Sequence, residues 1–371
     1  MHDSFSLRAI KIAFVVVCMS TLVSGAFRLF LPVYWSDIEY RPLAPMPAWN
    51  DRQAIDAYVR EHFGLREKLV GIFNVFSLLV FQRTNDARII AGKEGWIFYD
   101  GSPQVSDSLP FTLKQLEQWR IYLEGRTRWF QDHDILFRVL IVPDKQTVYP
   151  EYFRSSATRF SRREQLKEYL RTHSFVSILD ATDALLEGKS KGGMMYGKFG
   201  THWTSVGAFV GYRYLAENLP NVIPVPLGYD RLSIQQYSTT FDRGLLRMLH
   251  MLPLASFYSS QECSLKEKIA KQIVVEPPLL GPPKRPERLW SIFIMRNPAL
   301  PRALVYRDSF FNVMMQFFSE HFETVKYVRN GNYSMQLEDI ESIKPDLVLQ
   351  EFVERNLKMQ TPVLDPWMVS P

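Results

Sequence analysis

Short apolar runs and longer amphipathic stretches alternate along the C-terminal part of the chain. "ALVYRDSF" has the pattern of a strand followed by a turn, and "FNVMMQFFSEHF" has that of a helix. "TVKYVRN", "MQLEDIESIKP" and "DLVLQEFVERNL" then predict a strand, a helix, and a strand that runs into a helix. This alternation predicts an α/β fold, a parallel sheet with helices on both faces.

The middle of the chain contains the same two patterns. "QAIDAYVREHFG", "LREKLVGIFNVFSLLVFQR", "TLKQLEQWRIYLEGRTRWFQDH" and "SRREQLKEYLRTH" predict helices, and "RIIAGKEGWIFYDG" predicts a β-hairpin. "ILFRVLIVPDK" is a continuous apolar run, typical of a strand buried on both faces. Residues 217–290 show no clear period, and we interpret them as an irregular insertion.

The N-terminal segment differs from the rest. Ile12 to Phe27 carries no charge, which approaches the ~20 apolar residues that span a bilayer. Arg8 and Lys11 precede this run and favour a cytoplasmic N-terminus. We therefore predict a cytoplasmic tail and signal anchor over 1–36, a Pro-rich linker over 37–54 and a main domain over 55–371. A cleaved signal peptide is the alternative.

Composition and charge narrow the class of protein. Of the 371 residues, 46% are hydrophobic and 22% are charged, which is typical of a globular chain. The net charge of +5 is not gathered into a basic stripe, so nucleic-acid binding is not predicted. The seven histidines form no metal-binding motif and no Gly-rich phosphate loop follows a predicted strand, so neither a metal nor a cofactor is expected.

Asp308 and Ser309 stand where a predicted strand passes into a helix. Ligands of open α/β sheets gather at the carboxyl ends of strands, and a serine there has backbone N–H groups nearby. Such donors stabilise an oxyanion, so Ser309 is a candidate nucleophile. The alternative is that these two residues only cap the helix.

His202 and Trp203 precede a helix that Thr204 or Ser205 caps. The positive end of a helix dipole disfavours imidazolium, so His202 suits a neutral general base. The alternative is a structural histidine against which Trp203 packs. Asp144 and Lys145 follow the buried strand and either bind a ligand or form a turn with a surface ion pair.

These stretches together resemble one family, the SGNH-hydrolase-like proteins of bacterial exopolysaccharide O-acetylation, of the alginate O-acetyltransferase type. The resemblance rests on the order of "HFGLREKL", "IIAGKEGWIFYDG", "LIVPDKQTVYPEYF", "THWTSVGAF", "ALVYRDSFFNVMMQFFSEHF" and "PDLVLQEFVERNL". It implies a three-layer sandwich with a mostly parallel sheet, a Ser309 nucleophile and a His202 base. The secondary candidates, for support or substrate binding, are Asp308, Arg307, Trp203, Lys145 and Asp144.

The chain departs from the family pattern at the acid. The resembling proteins keep an aspartate two residues before the histidine, where this chain has Gly200. A second family pattern corresponds to Gly244-Leu245-Leu246, which also lacks a carboxylate. Carboxylates that follow predicted strands could replace the acid: Asp180, Asp183, Glu351 and Glu354.

The resemblance implies an O-acetyltransferase, or its accessory component, acting on an exopolysaccharide. It further implies a membrane-bound O-acyltransferase as acetyl donor, and a single-pass protein of the bacterial inner membrane with its main domain in the periplasm. Two alternatives remain open: a catalytically degenerate polysaccharide-binding or scaffold protein of the export complex, and a polysaccharide acetyl esterase.

Overall fold

The structure is a computed structural model of the whole chain. It describes residues 50–62, 66–99, 109–154, 161–237, 243–258, 260–274, 290–295, 297–329, 334–357 and 362–368. The predicted anchor over 1–36 and the linker up to residue 49 lie outside the described residues. In the described part, no helix combines the length and apolar character needed to cross a bilayer.

The elements follow the predicted order. The helices are α1 (Arg52–His62), α2 (Arg66–Phe76), α3 (Leu113–Asp132), α4 (Lys145–Val148), α5 (Arg162–His173), α6 (Thr182–Ser190), α7 (Ser205–Glu217), α8 (Gly244–Met248), α9 (Phe311–Phe318) and α10 (Leu337–Ile343). The strands are β1 (Ile89–Ala91), β2 (Ile97–Tyr99), β3 (Leu136–Val142), β4 (Leu179–Asp180), β5 (Leu232–Tyr237), β6 (Ser260–Leu265), β7 (Lys271–Val274), β8 (Trp290–Ile294), β9 (Arg302–Arg307), β10 (Thr324–Arg329) and β11 (Leu347–Val353).

The chain forms two compact units. The first unit comprises the residues up to Asp86 together with Gly244–Leu254, and it contains α1, α2 and α8. Within it, the Asn74 side chain donates a hydrogen bond to the carbonyl of Leu249 at 2.8 Å. Gly71 lies so close to this segment that an added Cβ would be 2.3 Å from the carbonyl oxygen of His250, so only glycine fits there.

The second unit is built on a seven-stranded sheet of order β4-β3-β11-β9-β10-β8-β7. The first five strands are parallel, whereas β8 pairs antiparallel with β10 and β7 pairs antiparallel with β8. The sheet is therefore mixed: four of its six pairings are parallel, and the two at the β7 end are antiparallel, which the prediction of a mostly parallel sheet did not place. Antiparallel edge strands on a parallel sheet are common because they need no helical crossover.

Residues 217–290 contain regular structure that the sequence did not predict. β5 and β6 form a separate antiparallel pair, and β7 joins the main sheet. The predicted helices and the β1–β2 hairpin are present where they were expected.

Helices cover both faces of the main sheet, as in a three-layer sandwich. Along β3, Phe137 and Ile141 belong to one core and Leu140 and Val142 to the other, because successive strand residues point to opposite faces. α7 and α9 contribute to one core, and α3, α5 and α10 contribute to the other. β3 is thus buried on both sides, as its continuous apolar run predicted.

The carboxyl ends of three neighbouring parallel strands converge at one edge of this sheet. β11 lies between β3 and β9, and all three point in the same direction. The segments that follow them hold Asp144, Ser309 and Glu354, so the fold brings distant candidate residues to one place.

A buried ion pair gives the fold a testable weak point. Arg126 is fully buried, and its guanidinium contacts the Asp365 carboxylate at 2.6 Å. We expect Asp365→Ala to lower the free energy of unfolding by about 3–5 kcal/mol, because it leaves the Arg126 charge buried without its counter-ion. Chemical denaturation measures this change.

The control is Glu168→Ala, which breaks the exposed pair with Arg171. That variant should lose less than about 1 kcal/mol, since water screens exposed pairs. Equal losses of unfolding free energy in the two variants would contradict the stabilising role of the buried Arg126–Asp365 pair.

Candidate active site

The turn between β9 and α9 carries Asp308 and Ser309. Asp308 Oδ1 accepts a hydrogen bond from the backbone N–H of Phe310 at 2.8 Å. This bond shapes the turn before α9, whose N-cap residue, Phe310, makes no side-chain capping bond. The Ser309 hydroxyl contacts another side chain.

The second Asp308 oxygen ties this turn to the neighbouring strand. Oδ2 accepts hydrogen bonds from the backbone N–H of Val353 at 2.8 Å and from Asn356 Nδ2 at 2.9 Å. The backbone N–H of Asp308 in turn donates to Glu351 Oε2 at 3.0 Å. The position of Ser309 is therefore fixed by bonds to the end of β11.

Glu351 is buried beside this turn. Burial, and then the charge of Asp308, raise the pKa of Glu351 well above its usual range. Its Oε1 makes no hydrogen bond within the described part of the chain. Arg307, also buried, donates to the carbonyl of Asp308 at 3.3 Å. Arg307 and Glu351 thus support the backbone of the turn.

His202 lies against Ser309. Its Nε2 is 2.8 Å from Ser309 Oγ, although 107 residues separate the two in sequence. α7 begins at Ser205, three residues after His202, and the Thr204 hydroxyl caps it by accepting from the Gly207 N–H at 3.0 Å. A serine hydroxyl at this distance from an imidazole nitrogen has the geometry of a nucleophile and its general base.

Trp203 connects the two segments that carry these side chains. It is fully buried, and its indole N–H donates to the carbonyl of Phe310 at 2.9 Å. The His202 ring also packs on the Phe310 ring, with centroids 4.8 Å apart. Trp203 therefore holds the His202 segment onto the Ser309 turn and contributes structurally to the site.

The other imidazole nitrogen faces a hydroxyl. Thr201 Oγ1 lies 3.1 Å from His202 Nδ1. When Nε2 accepts the Ser309 proton, Nδ1 carries hydrogen and is a donor, and a threonine hydroxyl can accept from it. This tautomer is assigned from the hydrogen-bond pattern.

Lys145 holds the backbone just before His202. Its buried ammonium donates to the carbonyls of Gly200 at 2.7 Å, Gly197 at 3.1 Å and Lys198 at 3.2 Å. Gly200, where the resembling proteins keep their acid, thus contributes a carbonyl to this cluster. Lys145 supports the histidine segment from inside the protein and does not form part of a surface turn.

Asp144 is buried and pairs with Arg355. The Arg355 guanidinium also lies over the Phe310 ring, 4.8 Å from its centroid. Burial lowers the pKa of Arg355, but the carboxylates of Asp144 and Asp308 outweigh it and raise that pKa. Sequence analysis missed Arg355; its one signal was its place just after a predicted strand.

The other carboxylates named as possible replacements for the family's acid are Asp180, Glu354 and Asp183. Asp180 binds Lys167 at 2.5 Å and also pairs with Arg163. Glu354 accepts hydrogen bonds from the hydroxyls of Thr147 at 2.6 Å and Ser161 at 2.8 Å. Asp183 is exposed in the first turn of α6.

The stretch that corresponds to the second family pattern, Gly244-Leu245-Leu246, begins α8 in the first unit. Within the described ranges, no three acidic, histidine or cysteine side chains come together in a way that could hold a metal ion.

Comparisons with known proteins agree with this architecture. Residues 89–278 match the model of the "SGNH hydrolase-like domain, acetyltransferase AlgX", a range that contains His202 but ends before Ser309. A "Probable alginate O-acetylase AlgJ" from Pseudomonas fluorescens is 22% identical over 97% of this chain and 90% of its own length.

Bacillus cereus PatB1 shares the fold at low sequence identity. It superposes with a TM-score of 0.54 at 14% identity, covering 73% of this chain and 97% of that one. The O-acetyltransferase domain of Pseudomonas putida AlgJ has a TM-score of 0.47 at 20% identity, with 76% and 96% covered.

The family match spans more than half of the chain and includes His202. The chain therefore belongs to the AlgX-type family of SGNH-hydrolase-like acetyltransferase domains.

Proposed function

We propose that this chain is an O-acetyltransferase that acts on an exopolysaccharide, with Ser309 as nucleophile and His202 as general base. The observation that carries the proposal is the 2.8 Å contact between His202 Nε2 and Ser309 Oγ at the carboxyl end of the parallel strands. Membership of an acetyltransferase family and similarity to an alginate O-acetylase indicate the acyl group and the class of acceptor.

The first half-reaction loads the acetyl group onto the protein. Ser309 Oγ attacks the acetyl carbonyl carbon of the donor while His202 Nε2 takes the hydroxyl proton. The bond from that carbon to the donor breaks, and His202 returns the proton to the leaving group. Backbone N–H groups at the Ser309 turn, the Ser309 N–H first among them, stabilise the tetrahedral oxyanion.

The second half-reaction delivers the acetyl group to the polymer. A sugar hydroxyl gives its proton to His202 Nε2 and attacks the carbonyl carbon of acetyl-Ser309. The ester bond to Ser309 then breaks, and the proton on His202 passes to the Ser309 oxygen. Sugar takes the place that water has in an esterase, so the same residues would also serve deacetylation.

The Gly200 departure should lower the rate without removing the chemistry. Replacing the orienting acid of a serine protease by its amide costs about 10⁴ in kcat, yet the oxyanion site and binding keep part of the acceleration. Among the described residues, the Thr201 hydroxyl contacts Nδ1, and Lys145 holds the backbone carbonyls that precede His202. Both contacts help to orient the ring.

We also propose the source of the acetyl group and the location of the protein. A membrane-bound O-acyltransferase supplies the acetyl group, and residues 1–36 anchor the chain in the inner membrane with the main domain in the periplasm. The uncharged run from Ile12 to Phe27 and the preceding Arg8 and Lys11 support this orientation.

The first test removes the proposed nucleophile and base. Ser309→Ala and His202→Ala should each lower hydrolysis of a chromogenic acetyl ester by more than about 10³-fold, and Ser309→Ala should abolish acetylation of the polymer. The double variant should be no slower than either single variant, because the two side chains act as one unit.

Ser342→Ala, which alters an exposed serine on α10, is the control and should keep full activity. Unchanged acetyl content with Ser309→Ala would favour the non-catalytic scaffold. Ester hydrolysis without any transfer to the polymer, in cells that hold the acyl donor, would favour the esterase.

The second test concerns Thr201. Thr201→Val removes the hydroxyl at nearly constant volume, so kcat should fall about tenfold, the worth of one hydrogen bond to a group that becomes charged. KM should not change, since Thr201 is proposed to contact His202 and not substrate. Thr201→Ser keeps the hydroxyl and should retain most of kcat; equal kcat for valine and serine would contradict this role.

A further inference from the structure

The face of α2 that points to solvent is apolar. Large side chains recur along it and along the π-helical turn Ser77–Phe81 with the spacing of one helical stripe. Between two fifths and two thirds of each side chain is exposed: Leu69, Ile72, Phe73, Phe76 and Val80. A helix of a globular protein ordinarily turns such a stripe inward.

The opposite face of α2 is buried and polar. Gly71, Asn74 and Ser77 are the buried positions, and Asn74 and Ser77 both accept hydrogen bonds from the Asn85 side chain, at 2.7 and 3.3 Å. Asn74 also donates to the carbonyl of Leu249. These bonds satisfy the buried polar groups, so the orientation of α2 is specified from within the first unit.

We infer that the exposed face of α2, defined by Leu69, Ile72, Phe73, Phe76 and Val80, lies on the surface of a lipid bilayer. Contiguous exposed apolar patches mark interaction sites. A helix with one apolar stripe and charged flanks is suited to the boundary between headgroups and acyl chains, parallel to the membrane.

The sequence around α2 favours lipid as the occupant. The uncharged run from Ile12 to Phe27 precedes it in the sequence, with the Pro-rich stretch and α1 between them. Lys68 and Arg83, both exposed, stand at the two ends of the apolar face, where they can contact anionic headgroups. The inference rests on the anchor included in the proposed function, because that anchor would keep α2 close to the bilayer.

The test measures contact with acyl chains in the full-length protein. Cys18 and Cys263 are replaced by serine, and one cysteine is introduced at Phe76 or Val80 and labelled with an environment-sensitive fluorophore. Leu113→Cys, on an exposed leucine of α3, is the matched control. Each protein is reconstituted into phosphatidylcholine–phosphatidylglycerol liposomes, with or without lipids brominated in their acyl chains.

We expect brominated lipid to quench the label at 76 and at 80 at least about twofold, and to leave the label at 113 unchanged. Replacing Ile72 and Phe73 by glutamine should weaken the quenching at 80. The same pair of changes at exposed apolar positions of the second unit, Phe175→Gln and Val225→Gln, should not.

Quenching at 76 and 80 no stronger than at 113 overturns the inference. A blue-shifted label without quenching also overturns it, because the face would then be covered by a second copy or another protein. A chain that does not float with the liposomes overturns it as well. Acetyl-ester hydrolysis by the same labelled variants separates these outcomes from a failure of the proposed catalysis.

Discussion

The Asp308 carboxylate is the contact on which the arrangement of the site depends. Its two oxygens accept three hydrogen bonds, one within its own turn and two from the segment at and beyond the end of β11. Hydrogen bonds to a charged group contribute about 1.5–3 kcal/mol each, so this carboxylate joins two strand ends strongly. It shapes the turn before α9 and leaves the Ser309 hydroxyl to meet His202. Burial first, and the charge of Asp308 second, raise the pKa of the neighbouring Glu351.

The buried ammonium of Lys145 makes a comparable contribution on the histidine side. An ammonium has three hydrogens to donate, and burying it is costly unless they are bound. Three carbonyls of the 197–200 segment bind them, so a charge in the core shapes the backbone that leads to His202. The side chain missing at Gly200 is therefore not needed to place the ring.

Much of this could be predicted from the sequence, because each strand and helix of the main sheet has a clear period of its own. The strand before Asp308 and the helix after His202 were both recognisable. The order of the family's motifs along the chain then related His202 to Ser309. Arg355 was missed because it matters only through Asp144 and Phe310, which are distant in sequence. The antiparallel strands β7 and β8 were missed because they are short and flank a Pro-rich stretch. Helix α2 was predicted, but not that its apolar face is exposed and its polar face buried. That orientation depends on the bond from Asn74 to Leu249, which is 175 residues away in sequence.

The bond from the Trp203 indole to the Phe310 carbonyl has a kinetic consequence. It ties the segment that carries His202 to the turn that carries Ser309, where the two side chains are already in contact. In the proposed reaction the acetyl donor meets the free Ser309 hydroxyl, and the acceptor sugar meets the acetyl carbonyl carbon only after the first leaving group has departed. Such a site is suited to double-displacement turnover, in which the two partners compete for one position and an excess of either slows the exchange.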